Sequence, residues 1–134
     1  DMSPFRFVRW IAEGEPIELF GDGSQSRDFT YVDDIARGTV ASIREVDYET
    51  INLGGGRNPV SLNRMIQILE GLLEKKAKID QQPFHKADLM ETWADIDKAE
   101  QLLDWTPRVT LEEGLERTVD WYLQNREWGR GLKL

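Results

Sequence analysis

The chain has no cysteine, a single histidine (His85) and only three methionines in 134 residues. Without cysteine there is no disulfide, no thiolate nucleophile and no cysteine-ligated zinc, and one histidine excludes a multi-histidine metal site. No apolar run approaches the ~20 residues of a membrane span and no signal-peptide pattern is present, so the expected location is cytoplasmic, with no membrane partner. Positive charge is also scarce: 17 lysines and arginines stand against 25 acids, for a net charge of -8. A general nucleic-acid binder needs a basic face, and this balance argues against one. An anionic small molecule needs only one or two well-placed arginines, so that class stays open. Two catalytic spacings are missing as well. Tyr31, Tyr48 and Tyr122 are followed four residues on by Ile35, Asn52 and Arg126, so there is no Tyr-x-x-x-Lys pair. After Gly21 and Gly23, position 26 is serine, so G-x-G-x-x-G fails, and Gly54-Gly55-Gly56 lacks that spacing too.

The length suits one domain, residues 1–134, and the 40% apolar and 31% charged content reads as soluble and globular. Ser3-Pro4 predicts a helix start, with Ser3 as cap and a helix over about 4–13 that Gly14 stops. Two short strands are expected at Ile17–Phe20 and Asp28–Val32, then a helix capped by Asp33 and running to about Arg44 on Ala36, Val40 and Ile43. Thr50–Leu53 reads as a short buried strand. Ser61 caps a strongly amphipathic helix on Leu62, Met65, Ile66, Leu69, Leu72 and Leu73. Ala77–Gln82 reads as an edge strand. Asp97 with Glu100, and Thr110 with Glu113, predict capping boxes for two further helices, the second with a stripe of Leu111, Leu115, Val119 and Tyr122. A frayed tail is expected from Trp128. The fold class is therefore α/β, helix-rich with short strands.

The most informative stretch is Ile17–Asp34. Here a Gly-Asp-Gly-Ser-Gln-Ser turn joins two extended runs and delivers Arg27. A guanidinium there either clamps a phosphate or carboxylate bidentately or pairs with a neighbouring aspartate on the surface. Phe20, at the end of the first run, either stacks on a planar ligand or packs into the core. Asp33 and Asp34 read as a helix start rather than a pair of catalytic acids. The loop His85-Lys86-Ala87-Asp88 holds an imidazole, a cation and an acid, and is either a binding loop or a solvated one.

The run Gly21-Asp22-Gly23-Ser24-Gln25-Ser26-Arg27-Asp28-Phe29-Thr30-Tyr31-Val32-Asp33-Asp34-Ile35 closely resembles a signature of the nucleotide-sugar epimerase/dehydratase family, within the extended short-chain dehydrogenase/reductases. Further matches follow in family order: Ile51-Asn52-Leu53-Gly54, Asp88 leading to Thr92-Trp93-Ala94-Asp95-Ile96, Leu103-Asp104-Trp105-Thr106-Pro107, and Leu111-Glu112-Glu113-Gly114-Leu115. Asp1-Met2-Ser3-Pro4-Phe5 and the Thr-Trp-Ala-Asp run are most similar to the UDP-glucuronate 4-epimerases. The resemblance implies the C-terminal, sugar-nucleotide-binding lobe of such an enzyme. The Rossmann domain for NAD and the catalytic tyrosine would lie in a preceding portion, leaving this lobe inactive by itself. It implies that Phe20 packs on a uracil ring, Arg27 binds the diphosphate and Asp88 bonds the ribose. Three residues before that acid many members carry an arginine; this chain has His85. The resemblance implies UDP-sugar as partner, with epimerisation, dehydration or decarboxylation as the parent reaction. Surface normally covered by the Rossmann half should drive self-association. A reading from another class is a stand-alone binding or interaction module.

Overall fold

The computed structural model describes residues 3–45 and 48–132; Asp1 and Met2 of the family match and the last two residues of the expected tail lie outside them. The elements are α1 (Ser3–Glu13), β1 (Pro16–Phe20), β2 (Ser26–Arg27), α2 (Val32–Ala41), β3 (Val60–Ser61), α3 (Leu62–Leu73), β4 (Lys78–Gln82), β5 (Glu91–Thr92), α4 (Asp97–Leu103), α5 (Leu111–Gln124) and α6 (Arg126–Arg130). Helices dominate. The strands form a parallel β1–β4 pair and a small sheet ordered β3-β2-β5.

Two cores follow from the apolar patterning. The larger packs α1, α3 and α5 against β1, burying Phe7, Val8, Ile11, Ile17, Leu19, Met65, Leu69, Leu115, Val119 and Tyr122. The members on α1, α3 and α5 recur at helical spacing, and Ile17 and Leu19 are the inward positions of β1. The smaller core gathers Ile96, Ala99 and Leu103 around the fully buried Trp105, with Ile51 and Leu53 laid against it. Along β1 burial alternates, with Ile17 and Leu19 inward and Pro16, Glu18 and Phe20 outward. The pleat therefore turns Phe20 to the outer face, 46% exposed.

Several expectations need correction. No strand runs over Asp28–Val32, because β2 ends at Arg27. The Asp28 N–H still donates to the Thr92 carbonyl (3.2 Å), while its carboxylate accepts the backbone N–H groups of Arg57 (3.1 Å) and Asn58 (3.3 Å), and pairing goes no further. Residues 50–53 pair with no strand among the described residues. Ser3 lies inside α1 rather than capping it from outside. Tyr31, not Asp33, is the N-cap of α2, and the helix stops at Ala41. Its expected stripe faces outward: Val40 is 67% and Ile43 83% exposed, while Asp34 and Gly38 face inward. A Cβ at Gly38 would stand 2.6 Å from Leu53 and 2.9 Å from the Trp105 ring, so only glycine admits this approach.

Capping follows the sequence at Ser61, whose Oγ accepts from Arg64 N, and at Thr110, whose side chain accepts from Glu113 N. Glu113 does not complete the box; it turns to Arg117 (2.6 Å). Asp97 caps nothing. Asp95 receives its N–H, and its own carboxylate takes Arg57 (2.5 Å). The expected frayed tail instead begins with a short helix, with Gly129 buried and Trp128 edge-on to Trp121 at 5.6 Å.

That helix is tied down by Glu13. Its carboxylate takes Arg126 at 2.7 Å, Arg130 at 3.2 Å and the Tyr122 hydroxyl at 2.9 Å. The Arg126 hydrogen bond, opposed by burial and helped by Tyr122 and Arg130, holds the Glu13 carboxyl below its ordinary 4.5. Burial first, and then Glu13, push the Tyr122 hydroxyl up to about 12. The signs are opposite. The Glu13 contribution is present above 4.5 and is lost as pH falls through its lowered folded value, whereas that of Tyr122 is present below 10 and is lost as pH rises towards about 12. Glu13→Gln is therefore expected to flatten the acid side of the stability profile, read as urea midpoints over roughly pH 3 to 6.

Candidate functional site

The site is built where β1 ends. Phe20 leaves the β1–β4 pair into a turn whose Gly21 and Gly23 have φ of 81° and 77°. Asp22 folds the turn by accepting Ser24 N (2.9 Å) and Ser24 Oγ (2.5 Å). The start of α3 anchors it, since Asn63 N donates to the Gly23 carbonyl (3.0 Å) and Leu62 N to that of Gln25 (3.1 Å). Gln25 Nε2 spans the turn to the Phe20 carbonyl at 2.6 Å. The chain then enters β2, between β3 and β5, and presents Arg27.

Arg27 donates through Nη1 to the Ser26 carbonyl (2.7 Å) and through Nη2 to Asp88 Oδ1 (2.5 Å). Both open readings of Arg27 thus bear on one residue: it is ion-paired with an aspartate, and that aspartate is itself a candidate site residue. Asp88 sits in a tight turn in which its N–H donates to the His85 carbonyl (2.9 Å) and Ala87 N donates to His85 Nδ1 (3.3 Å). The arginine is only 24% exposed and the carboxylate 37%, so the pair is shielded on one side and reachable on the other.

Phe20, Arg27 and Asp88 line one cavity of about 310 Å³, together with Arg6, Trp10, Glu18 and Gln25. Phe20, His85, Ala87 and Asp88 line an adjoining hollow of about 330 Å³. All four residues singled out from sequence therefore meet on one surface, although they come from β1, β2 and the loop before β5. Three neighbours escaped the sequence reading: Gln25, Arg6 and Trp10. Arg6 and Trp10 occur one turn apart on α1, with the guanidinium 6.0 Å from the ring centroid, and that spacing was the available signal. Chemically, the cleft offers a half-exposed aromatic face, a guanidinium and a carboxylate acceptor. Those are the groups that hold a base, a phosphate and a sugar hydroxyl.

Asp33 and Asp34 form no pair of acids. Asp33 is exposed and meets Arg117 at 3.1 Å. Asp34 is 2% exposed and accepts from Arg108 N and Val109 N (both 2.9 Å) and from Arg37 (2.5 Å). Burial pushes its carboxyl up, but the Val109, Arg37 and Arg108 donors outweigh burial and hold it below its ordinary value. The glycine turns do not form an NAD cradle either. A Cβ at Gly23 would stand 2.2 Å from Asn63 Oδ1, and one at Gly55 2.4 Å from Asp28 Oδ1. Both turns are packed against protein rather than opened to a pyrophosphate. A second cavity, about 360 Å³, lies between Asp28, Gly55, Gly56 and the 107–112 segment, away from Arg27.

Comparison with known proteins gives the family. The family model described as GDP-mannose 4,6 dehydratase matches residues 4–118. A UDP-glucuronate 4-epimerase of Thermodesulfobacterium geofontis is 58% identical over 134 residues, covering all of this chain and 42% of that protein. An epimerase structure from Methanothermobacter thermautotrophicus superposes with a TM-score of 0.89 at 37% identity, covering 97% of this chain and 39% of that one. The Bacillus cereus UDP-glucuronic acid 4-epimerase, solved with UDP-glucuronic acid and NAD, gives a TM-score of 0.84 at 39% identity, covering 92% and 40%. The chain thus spans about two fifths of the length of the relatives it matches, with the helix-rich α/β fold of their C-terminal part. The chain belongs to the GDP-mannose 4,6 dehydratase family of nucleotide-sugar epimerases and dehydratases.

Proposed function

We propose that these 134 residues are the UDP-sugar-binding domain of an NAD-dependent nucleotide-sugar 4-epimerase that interconverts UDP-glucuronate and UDP-galacturonate, and that the domain is inactive by itself. The observation that carries this reading is the convergence of Phe20, Arg27 and Asp88 on one cleft, with His85 in the hollow that adjoins it at Phe20 and Asp88. In this reading Phe20 stacks on the uracil and Arg27 takes the diphosphate. Asp88 accepts a ribose hydroxyl and His85 borders the phosphates. Because Asp88 already holds Arg27, the guanidinium is oriented before ligand arrives, which reduces the ordering cost of binding.

Bound NAD supplies hydride acceptance and return at sugar C4, and its site belongs to residues outside these 134. What this chain does is grip the nucleotide so that the sugar is held in one place, a contribution of position rather than of chemistry. The test is turnover. Epimerisation of UDP-glucuronate with NAD by the longer protein carrying this chain supports the reading, and epimerisation by these residues alone would refute the claim of inactivity. The shares of 39–42% of the relatives' lengths support the view that the working enzyme is longer.

The same reading makes the outward face of α2 a surface to be covered. Val32 and Val40 are 65% and 67% exposed on that helix, and Ile43, just past its end, is 83% exposed. Trp121 and Trp128 add aromatic surface elsewhere. Exposed apolar stripes of this kind favour association. By itself the chain is expected to self-associate, seen as a mass above the monomer in light scattering at high concentration. Val40→Glu should shift it towards monomer.

A further inference from the structure

We infer that Gln25 is the positioning residue that sets the span between Phe20 and Arg27, and with it the distance the cleft offers between a stacked ring and its phosphates. This rests on the reading of the cleft as a nucleoside-diphosphate site.

Gln25 and Asp34 are the buried polar or charged side chains among the described residues, each 2% exposed. Asp34 has three donors to its carboxylate. Gln25 has a different account. Its Nε2 donates to the Phe20 carbonyl at 2.6 Å, while its Oε1 is buried with no hydrogen-bond partner. A buried acceptor left unfilled is destabilising, and a methionine of similar length would occupy the space without that cost. Stability alone therefore does not explain an amide here.

Position does. Phe20 is the last residue of β1, and two glycines of positive φ separate it from β2. Such a turn has the freedom to vary its span. The Gln25 bond crosses the turn and returns to the peptide that carries Phe20, while its own carbonyl is fixed to Leu62 N at 3.1 Å. Arg27 follows two residues later. One residue thus ties the aromatic platform, through its side chain, and the segment leading to the guanidinium, through its backbone carbonyl, to the start of α3, and Gln25 itself lines the cavity they share.

The test compares the wild-type chain with Gln25→Met and Gln25→Asn, the second keeping the amide but too short to reach. UDP and inorganic pyrophosphate are titrated against each by ¹⁵N NMR, alongside thermal midpoints. Both variants are expected to bind UDP about fivefold to tenfold more weakly. Both should bind pyrophosphate as the wild type does, because that ligand does not span the two groups, and Gln25→Met should keep or raise the midpoint. Unchanged UDP affinity, or an equal loss for pyrophosphate, overturns the inference while leaving the nucleotide site standing. A wild-type chain that takes up no UDP overturns both. Should the variants not fold, the wild type decides: the Gln25 side-chain amide protons should exchange slowly and shift with UDP but not with pyrophosphate, and the opposite pattern overturns the role.

Discussion

Asp34→Ala is expected to lower the unfolding free energy by about 3–5 kcal/mol, the range for breaking a buried charge pair. The carboxylate is 2% exposed and is the meeting point of α2 with the 105–109 segment. Removing it strands the N–H groups of Arg108 and Val109, each now 2.9 Å from Oδ2. It also takes one acceptor from Arg37, which keeps the Thr106 carbonyl at 2.6 Å and lies over Trp105 at 5.6 Å. The smaller core is built on Trp105, whose ring N–H keeps its 2.9 Å bond to the backbone carbonyl of residue 34, so the loss falls on the carboxylate's own partners in the segment beside that core. A drop of this size is a large share of the 5–15 kcal/mol typical of a domain. Asp34→Asn keeps an acceptor for the two N–H groups and should cost less, about 1–2 kcal/mol. Urea unfolding of the three proteins checks the order. Equal midpoints for wild type and Asp34→Ala would remove Asp34 from this role.

Arg27→Ala carries the largest expected effect on binding. A hydrogen bond to a charged group contributes about 1.5–3 kcal/mol, so UDP affinity should fall roughly 10- to 150-fold. Folding should be spared. The Arg27–Asp88 pair is 24% and 37% exposed, and pairs open to solvent contribute only ~0–1 kcal/mol. Loss of binding without loss of stability is therefore the signature. Arg27→Lys keeps a point charge but not the planar fork, and should fall between wild type and alanine. Phe20→Ala should weaken UDP and leave pyrophosphate unaffected. If Arg27→Ala binds UDP as the wild type does, the diphosphate is held elsewhere.

The legible parts of the fold were those set by local period. α3 and α5 announce themselves through apolar residues every three or four positions, and Ser61 and Thr110 mark their starts. β1 and β4 follow from short extended runs beside Pro16 and Pro83. The errors came where distant residues decide. The run Asp28–Val32 has strand composition, yet the Asp28 carboxylate serves the turn at Arg57 and Asn58. In α2 the residues with helical period point outward because Gly38 must approach Leu53 and Trp105, and Asp34 must reach the 108–109 backbone. Asp97 has the spacing of a capping box, but Arg57 claims its carboxylate. None of these partners is near in sequence.

The same holds for the cleft. Residue chemistry alone left Phe20 as core or platform and Arg27 as clamp or surface ion pair. Alternation along β1 resolves the exposure of Phe20, since Ile17 and Leu19 take the inner face. The meeting of Arg27 with Asp88 depends on the parallel pairing of β2 with β5, which no local pattern predicts. Family resemblance alone placed the four residues together beforehand. Gln25 was missed because a glutamine in a glycine turn carries no period and no charge.

The central claim is that the Phe20–Arg27–Asp88 cleft holds a uridine diphosphate. The most direct measurement is a ¹⁵N NMR titration of the chain with UDP. The account predicts saturable shifts centred on the amides of residues 20–27 and 84–89. No saturable shift, or shifts centred instead on residues 55–58 and 107–112 around the second cavity, would contradict it.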